Sequence, residues 1–330
     1  MIESPSIAAA PDWALFKPPF NSVTNRIAST KAHFSSTVPR ELVHRAAVAE
    51  VLLTRWHRLD ATHFGVSAQW PRGHSFFTSP DGFHHDPLLI AETIRQVGTL
   101  LAHAELDVSM DSCFLLETMR FDSDLQGLEV RGTPADLELM VTASDLRYSG
   151  RRLSGVRYDA QFLRDGARVA SAGLKASFIA PAVYRRLRGD YLTARPSTVL
   201  PPPIEPALVG RRIGFDVVLS STGLANRWEL RADSRHPVLF DHPGDHIPGM
   251  VLMEAARQAA RAMAPEADMI TSLDTSFTKY VEFEAPCWIT ADEVAGDDPS
   301  GRRLVIRGEQ FGETAFTMTI SVAARVPLTV

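Results

Sequence analysis

A nearly unbroken run of helix-forming residues follows a polar, turn-rich loop in the second half of the chain. Residues 250–263 are Ala, Met, Leu, Glu, Arg and Gln with a single Val, and nearly all of these types favour helices. The polar members Glu254, Arg257, Gln258 and Arg261 recur at i, i+3, i+4 and i+7, so they share one helix face. The pattern predicts a helix packed on most sides, with a carboxylate and an arginine on the wall of a mostly buried space.

The first half of the chain repeats this pattern. Leu42-Val43 reappears as Leu208-Val209, 166 residues later. A second set of pairs is separated by 162 residues: His74 and His236, Gly82 and Gly244, His84 and His246, Glu92 and Glu254, and Arg95-Gln96 and Arg257-Gln258. A constant offset across a loop and a helix predicts a tandem duplication.

Strand-like segments follow each of the two helices. In the first half they span residues 128–131, 137–146, 155–164 and 167–179, and in the second half residues 288–294, 304–311 and 314–323. Asp165-Gly166 is a strong hairpin signal. The predicted fold is α+β, with two antiparallel sheets each wrapped around one central helix. The predicted domains are an N-terminal arm at 1–38, a first repeat at 39–190, a Pro-rich linker at 191–207 and a second repeat at 208–330.

Composition narrows the function classes. The chain has 330 residues, 45% of them hydrophobic, and a formal charge of −5, which argues against nucleic acid and anionic membranes as partners. No apolar run approaches the length of a membrane span, the N-terminus lacks a signal-peptide pattern, and two cysteines suggest a reducing compartment. A soluble, cytoplasmic protein is expected. No Gly-rich dinucleotide or phosphate loop precedes a helix, so no cofactor is predicted.

The loop and helix of the second half resemble the signature of hotdog-fold acyl-carrier-protein dehydratases. His242, Pro243-Gly244, Pro248-Gly249 and Glu254 match that signature, with about two residues fewer between His242 and Pro248. The duplicated motif, together with Val43-His44-Arg45, more specifically resembles the A-factor biosynthesis (AfsA-type) family over roughly residues 40–325.

This resemblance implies a tandem double hotdog and an acyltransferase. Members of the family transfer a β-ketoacyl group from an acyl-carrier-protein thioester to the hydroxyl of dihydroxyacetone phosphate. The ester is a precursor of γ-butyrolactone, butenolide or furan signalling molecules. The expected partners are therefore the acyl-carrier protein and dihydroxyacetone phosphate. Because a tandem repeat already forms an internal pseudo-dimer, both a monomer and a homodimer are compatible with the sequence.

Acyl transfer to an alcohol requires a base, stabilisation of the oxyanion and alignment of two substrates. Glu92 and Glu254 are the candidate bases, since desolvation on a buried helix can raise a carboxyl pKa towards the working pH. Arg257 is a candidate to orient the carboxylate or bind phosphate, and a surface ion pair is the alternative reading. The candidates for substrate binding are Arg95, Gln96, Gln258, His242, His246 and Gly249. A metal at His242 and His246 is disfavoured, because Pro243-Gly244 prevents helical presentation of the pair.

Three alternatives stay open. As alternatives to an acyltransferase, the sequence is compatible with a dehydratase or a thioesterase acting on acyl thioesters, and with a non-catalytic acyl-binding module. Arg185, Arg186 and Arg188 form either a contact for an acidic carrier or a solvated basic face. The two sites are also unequal, because the first half has Asp86-Pro87 where the second has Pro248-Gly249. If each helix faces the opposite half, as in hotdog pairs, Glu92 faces the Gly249 loop.

Overall fold

Alternation of apolar and polar residues builds the strands. In the last strand, Phe316, Met318, Ile320 and Val322 are buried, and the residues between them are half-exposed. This period of two places one face on the core and the other towards solvent. The computed structural model describes residues 34–267, 269–294 and 302–324, so most of the predicted N-terminal arm lies outside the described residues.

The two halves have the same order of six strands and one central helix, and the first half adds a short second helix. The first half contains β1 (Leu53–Arg58), β2 (His63–Trp70), α1 (Leu88–Glu105), β3 (Cys113–Ser123), β4 (Ala135–Ser149), β5 (Arg152–Arg164), β6 (Ala167–Ile179) and the short helix α2 (Pro181–Arg188). The second half contains β7 (Leu219–Ser221), β8 (Arg227–Leu230), α3 (Gly249–Met263), β9 (Met269–Phe277), β10 (Trp288–Val294), β11 (Arg302–Gln310) and β12 (Glu313–Ala323).

The twelve strands of the described residues form one antiparallel sheet in the order β1-β2-β4-β5-β6-β3-β9-β12-β11-β10-β8-β7. The first six strands and the last six have the same topology, read from opposite edges. β3 and β9 join the halves at the centre, where Thr118 pairs with Ser276 and Asp122 with Ser272. The double hotdog predicted from the sequence is therefore confirmed, as two repeats of a single continuous sheet.

The central helices are buried on nearly every side. α1 packs against β1, β3 and β6, and α3 packs against β10, β11 and β12. Gly98 lets α1 approach the sheet closely, since a Cβ there would lie 3.1 Å from Leu174 Cδ2. Within the described residues, no helix has the length and apolarity needed to cross a bilayer.

One predicted strand is wrong, and the predicted strands leave out β2, β3, β8 and β9. No strand forms at 128–131. Leu128 ends the 3-10 helix Leu125–Leu128, whose turn is closed where the Asp124 side chain accepts the N–H of Gln126, and Glu129 makes only an isolated bridge to His84. β3 and β9 have many half-buried positions and weak alternation, so they gave no clear strand signal. These two strands form the seam between the halves.

Candidate functional site

Glu92 lies in the middle of α1 and is enclosed by two arginines. Arg45 Nε and Nη2 lie 3.0 and 2.5 Å from Glu92 Oε1. Arg95, one turn further along the helix, donates from Nη2 to Oε1 at 2.8 Å and from Nε to Oε2 at 2.9 Å. Gln96 is the third residue that donates to Oε1, through its Nε2 at 2.7 Å. We call Arg45, Glu92, Arg95 and Gln96 the Glu92 cluster.

α3 carries a second cluster with the same geometry. Arg211 Nε donates to Glu254 Oε1 at 2.8 Å, and Arg211 Nη2 lies 2.7 Å from Oε2. Arg257 donates to both oxygens at 2.8 Å, and Gln258 Nε2 donates to Oε1 at 2.5 Å. We call Arg211, Glu254, Arg257 and Gln258 the Glu254 cluster. Its ion pair is buried, so the alternative of a surface ion pair is wrong.

The two glutamines attach the carboxylates to the opening segment of each half. Gln96 accepts the N–H of Leu52 and donates to the carbonyl of Glu50. Gln258 makes the equivalent pair of bonds with Val218 and Asp216. With both ends of each amide occupied, the glutamate side chains have no freedom to turn away from their arginines.

The ion pairs lower the pKa values of both glutamates, so the expectation of raised values is wrong. Burial alone raises the pKa of each carboxyl group, but the charges of its two arginines and their hydrogen bonds outweigh burial. The pKa of Glu254 falls to about 2, and that of Glu92 falls in the same direction. Both carboxylates are therefore ionised at neutral pH and are poor proton acceptors.

Each cluster contacts the loop of the opposite half, as the sequence predicted. Arg45 lies 3.9 Å from Asp241 of the second half, and Asp241 also accepts the N–H groups of Ala46 and Ala47. Conversely, Arg211 lies 3.7 Å from Asp86 of the first half and donates to the carbonyl of Phe76. The Glu92 cluster therefore faces the loop that leads to Gly249.

The facing helices differ at their N-termini. The Asp86 side chain accepts a hydrogen bond from the N–H of Leu88, and the Asp86 carbonyl accepts one from the N–H of Leu89. Asp86 therefore caps α1. At the start of α3, by contrast, no group among the described residues accepts a hydrogen bond from the N–H of Gly249 or Met250. Uncapped N–H groups at a helix start attract an anion or a polarised carbonyl. Of the two central helices, only α3 begins in this way, and the loop that precedes it faces the Glu92 cluster.

The surroundings of the two clusters differ in exposure. The side chain of Arg95 is 22% exposed, and that of its counterpart Arg257 is 9% exposed. Phe76 covers Arg211, whose guanidinium carbon lies 3.8 Å from the centre of the ring. Beside the Glu254 cluster, Arg212 donates to the carbonyl of Pro80 in the opposite half. The Glu254 cluster is thus sealed, whereas the Glu92 cluster reaches solvent through Arg95.

The predicted histidines lie on the loop that faces the Glu92 cluster. His242 is 56% exposed and sits 3.3 Å from Asp241. His246 Nδ1 lies 2.7 Å from Asp245, which also accepts hydrogen bonds from Tyr184 and Arg188 on α2. Helix α2 therefore fixes the conformation of this loop.

The predicted basic cluster on α2 has two different kinds of arginine. Arg188 is buried, where it binds Asp245 and Glu282 through its guanidinium group. Arg185 and Arg186 are exposed on the outer face of the helix. Only these two are available to a partner, so Arg188 is a structural residue of the loop.

Sequence reasoning missed three residues of the clusters and their surroundings. Arg45 and Arg211, the second arginine of each clamp, are 166 residues apart, and the repeat offset could have identified them. His44 was noted as part of a motif without a function. Its Nε2 lies 2.7 Å from His103 Nε2, and its ring packs edge-on against Phe114.

Two cavities lie away from both glutamates. One of about 610 Å³ is lined by residues at the ends of β1 and α1 and in the β4–β5 turn, including Arg58, Val108 and Tyr148. The other, of about 220 Å³, lies beside Leu230 and Phe283. Within the part of the chain that the structure describes, no group of three His, Cys, Asp or Glu residues is placed to hold a metal.

Comparison with known proteins gives consistent matches along the chain. The model of the A-factor biosynthesis hotdog domain matches residues 27–180 and 192–325. A 2-oxo-3-(phosphooxy)propyl 3-oxoalkanoate synthase from Streptomyces virginiae is 49% identical over 87% of this chain and 97% of its own length. A synthase of the same name from Streptomyces coelicolor is 39% identical over 86% of this chain and 91% of its own length.

Solved structures share the fold at low identity. A putative oleoyl thioesterase from Lactobacillus plantarum superposes with a TM-score of 0.53 at 10% identity, covering 82% of this chain and 99% of its own. The 12:0-ACP thioesterase from Umbellularia californica gives a TM-score of 0.50 at 10% identity, over 82% of this chain and all of its own. At such identities these likenesses concern the fold alone.

Glu254→Gln tests whether the sealed cluster stabilises the second half. Removing the charge leaves two buried guanidinium groups uncompensated, so we expect a loss of about 3–5 kcal/mol in the free energy of unfolding at pH 7. Because folding lowers the pKa of Glu254 from 4.5 to about 2, the wild type has this stabilisation above pH 4.5 and loses it as the pH falls towards 2. The difference between variant and wild type in the free energy of unfolding, measured with urea, should therefore become smaller as the pH falls from 4.5 to 3.

Glu284→Gln, at an exposed position, is the control and should change stability by no more than about 0.5 kcal/mol. A difference between Glu254→Gln and wild type that stays constant from pH 7 to pH 3 would contradict the ionic origin of this stability.

Proposed function

The chain belongs to the A-factor biosynthesis hotdog family, and on that basis we propose that it is an acyltransferase. It transfers a 3-oxoacyl group from the thioester of an acyl-carrier protein to the hydroxyl of dihydroxyacetone phosphate. The observation that carries this proposal is the 49% identity to a 2-oxo-3-(phosphooxy)propyl 3-oxoalkanoate synthase along 97% of that enzyme. The product in that name is an ester of a 3-oxo acid with dihydroxyacetone phosphate.

We propose that the reaction takes place beside the Glu92 cluster. The N–H groups of Gly249 and Met250 at the start of α3 would hold the thioester oxygen and the oxyanion that develops on it. Leu116 and Phe277 flank the same position, with side-chain carbons 3.9 and 3.6 Å from where a Cβ on Gly249 would lie. These apolar side chains offer a surface for the first carbons of the acyl chain.

Arg95 is proposed to bind the phosphate of the acceptor. Its Nε and Nη2 are engaged by Glu92, which holds the guanidinium in one orientation and leaves Nη1 for an anion. A guanidinium held in this way binds phosphate at little entropic cost. Glu92 thus acts by orienting Arg95, and Gln96 acts by holding Glu92. His242 and His246 lie on the facing loop and form the rim of the site.

Glu254 and Arg257 were also predicted to be catalytic, and here we propose a different role for them. The Glu254 cluster has the same donors, but α1 opposite it is capped by Asp86 and its arginines are covered. We infer that it stabilises the second half and that one site per chain is active. Because both halves contribute to that site, a monomer suffices for activity, and a homodimer stays compatible with it.

The product formed from defined substrates tests the reaction. The purified protein is mixed with a β-ketoacyl thioester of a carrier protein and dihydroxyacetone phosphate, and the products are followed by mass spectrometry. We expect a phosphorylated acyl ester and free carrier thiol in equal amounts. Free β-keto acid would identify a thioesterase, an enoyl thioester a dehydratase, and unchanged thioester bound to the protein a binding module. Each of these three outcomes would contradict acyl transfer.

Arg95→Ala tests the proposed phosphate contact. Loss of a charge-assisted contact should lower kcat/KM for dihydroxyacetone phosphate by about 10- to 100-fold. The rate with unphosphorylated dihydroxyacetone, which has no phosphate to bind, should change little. Arg257→Ala is the matched control from the other repeat. Its ratio of kcat/KM for dihydroxyacetone phosphate to kcat/KM for dihydroxyacetone should equal that of the wild type. An equal loss with both acceptors in Arg95→Ala would contradict the phosphate contact.

Gly249→Ala tests the start of α3. A Cβ there would meet only ordinary contacts at 3.6 and 3.9 Å, and α3 begins without a left-handed backbone at this position, so neither packing nor conformation requires glycine. We therefore expect unchanged or slightly higher stability, because Ala favours helices by about 1 kcal/mol. Turnover should nevertheless fall at least tenfold, because the methyl group obstructs the approach of the thioester. A tenfold fall corresponds to an activation free energy higher by roughly 1.4 kcal/mol. Full activity in Gly249→Ala would rule out this approach.

A further inference from the structure

His44 has a backbone conformation that favours glycine. With φ 52° and ψ 53° it lies in the left-handed region, immediately after the 3-10 helix Arg40–Val43. The equivalent position in the second half, after the 3-10 helix Pro206–Val209, is Gly210 with φ 67° and ψ 32°. The same turn is therefore made twice, once with a strained histidine beside the Glu92 cluster and once with a relaxed glycine. A strained residue at one repeat only suggests a function for its side chain.

Hydrogen bonding assigns the protons of the two neighbouring imidazoles. His103 Nδ1 lies 2.8 Å from the carbonyl of Val108, which can only accept, so this nitrogen carries a proton. In a neutral His103, Nε2 is then an acceptor. His44 Nε2, 2.7 Å away, must donate to it. The remaining nitrogen of His44, Nδ1, therefore carries a lone pair when the ring is neutral.

The surroundings of His44 keep it neutral and place it beside the proposed site. Burial, together with the charges of His103, Arg95 and His242, lowers its pKa to about 4. The ring is 4.9 Å from that of Phe114 on β3. Leu116 is two residues further on the same strand and flanks Gly249. One strand thus connects His44 to the start of α3.

We propose that His44 is the general base of the acyl transfer, with His103 as its positioning residue. This inference rests on the proposed function. His44 Nδ1 takes the proton of the acceptor hydroxyl as its oxygen bonds to the thioester carbon, and the carbonyl becomes an oxyanion at α3. Collapse of that intermediate breaks the C–S bond, and the proton passes from His44 to the departing thiolate. One alcohol and one thioester give one ester and one thiol, so atoms and charges balance.

With His44 as the base, neither glutamate has to accept the proton of the acceptor hydroxyl. Both are ionised and fully hydrogen-bonded to their arginines, so accepting a proton would require breaking an ion pair. Within the described part of the chain, no carboxylate pairs with His44, and its bond to His103 allows the positive charge to be shared between two rings. General-base catalysis by a positioned histidine contributes about 10²–10⁴ in rate.

His44→Gly separates a chemical role from a structural one. Glycine accepts the left-handed backbone without strain, which offsets the lost ring contacts, so the melting temperature should stay within about 2 °C of the wild type. We expect kcat to fall by about 10²–10⁴ with little change in KM for either substrate. Added imidazole, which fits where the ring was, should raise the rate of the variant at least roughly tenfold.

Phe311→Gly is the matched control, because Phe311 also has a positive φ of 55° and lies exposed in the turn between β11 and β12. It should keep full activity, since it relieves the same strain far from the site. His44→Gly activity within about threefold of the wild type would overturn the proposal. So would a loss that appears only in KM, or one that imidazole does not restore. The proposed acyl transfer and the proposed role of His44 can fail separately. The product made by the wild type tests the acyl transfer, and the ratio of kcat between His44→Gly and the wild type tests His44.

Discussion

The burial of one carboxylate between two guanidinium groups in each repeat is the interaction on which the rest of the structure depends. A lone charge in the middle of a core helix would be strongly destabilising, so each glutamate requires arginines from its own helix and from the segment that opens its half. The glutamines then connect the same carboxylates to the first strand region. The central helix, the opening segment and the opposite loop are thereby held in one arrangement.

Duplication produced two such clusters, and their surroundings have become different. Around Glu254, a phenyl ring, a capped helix and a cross-half arginine exclude solvent. The Glu92 cluster contains an arginine that is 22% exposed, adjoins His44 with its left-handed backbone and its partner His103, and faces the loop that leads to the uncapped start of α3. In our proposal, the Glu254 cluster supplies stability and the Glu92 cluster supplies positioned groups. An internal pseudo-dimer allows this division, because the two interfaces of one chain can change independently, unlike those of a symmetric homodimer.

The sequence predicted the fold and the cluster centres because both depend on local and periodic features. Helix α3, the hairpin at Asp165-Gly166 and the pairing of Glu92 with Arg95 follow from spacing, and the repeat offset showed that there are two of each. The seam strands β3 and β9 were missed because their half-buried positions alternate weakly. The pKa direction was wrong because Arg45 and Arg211 come from distant segments. The proposed role of His44 rests on a backbone conformation and on a neighbour 59 residues away, which no spacing reveals.

The number of ligands bound per chain tests most directly whether one of the two clusters is the active site. A β-ketoacyl analogue with an amide in place of the thioester binds without turnover, and native mass spectrometry counts the bound molecules. The asymmetry of the two helix starts predicts one bound analogue per chain. Gly249→Ala should lose this binding, and Glu284→Gln should retain it. Two analogues per chain with equal affinity would contradict it, because the sealed Glu254 cluster would then be as accessible as the Glu92 cluster.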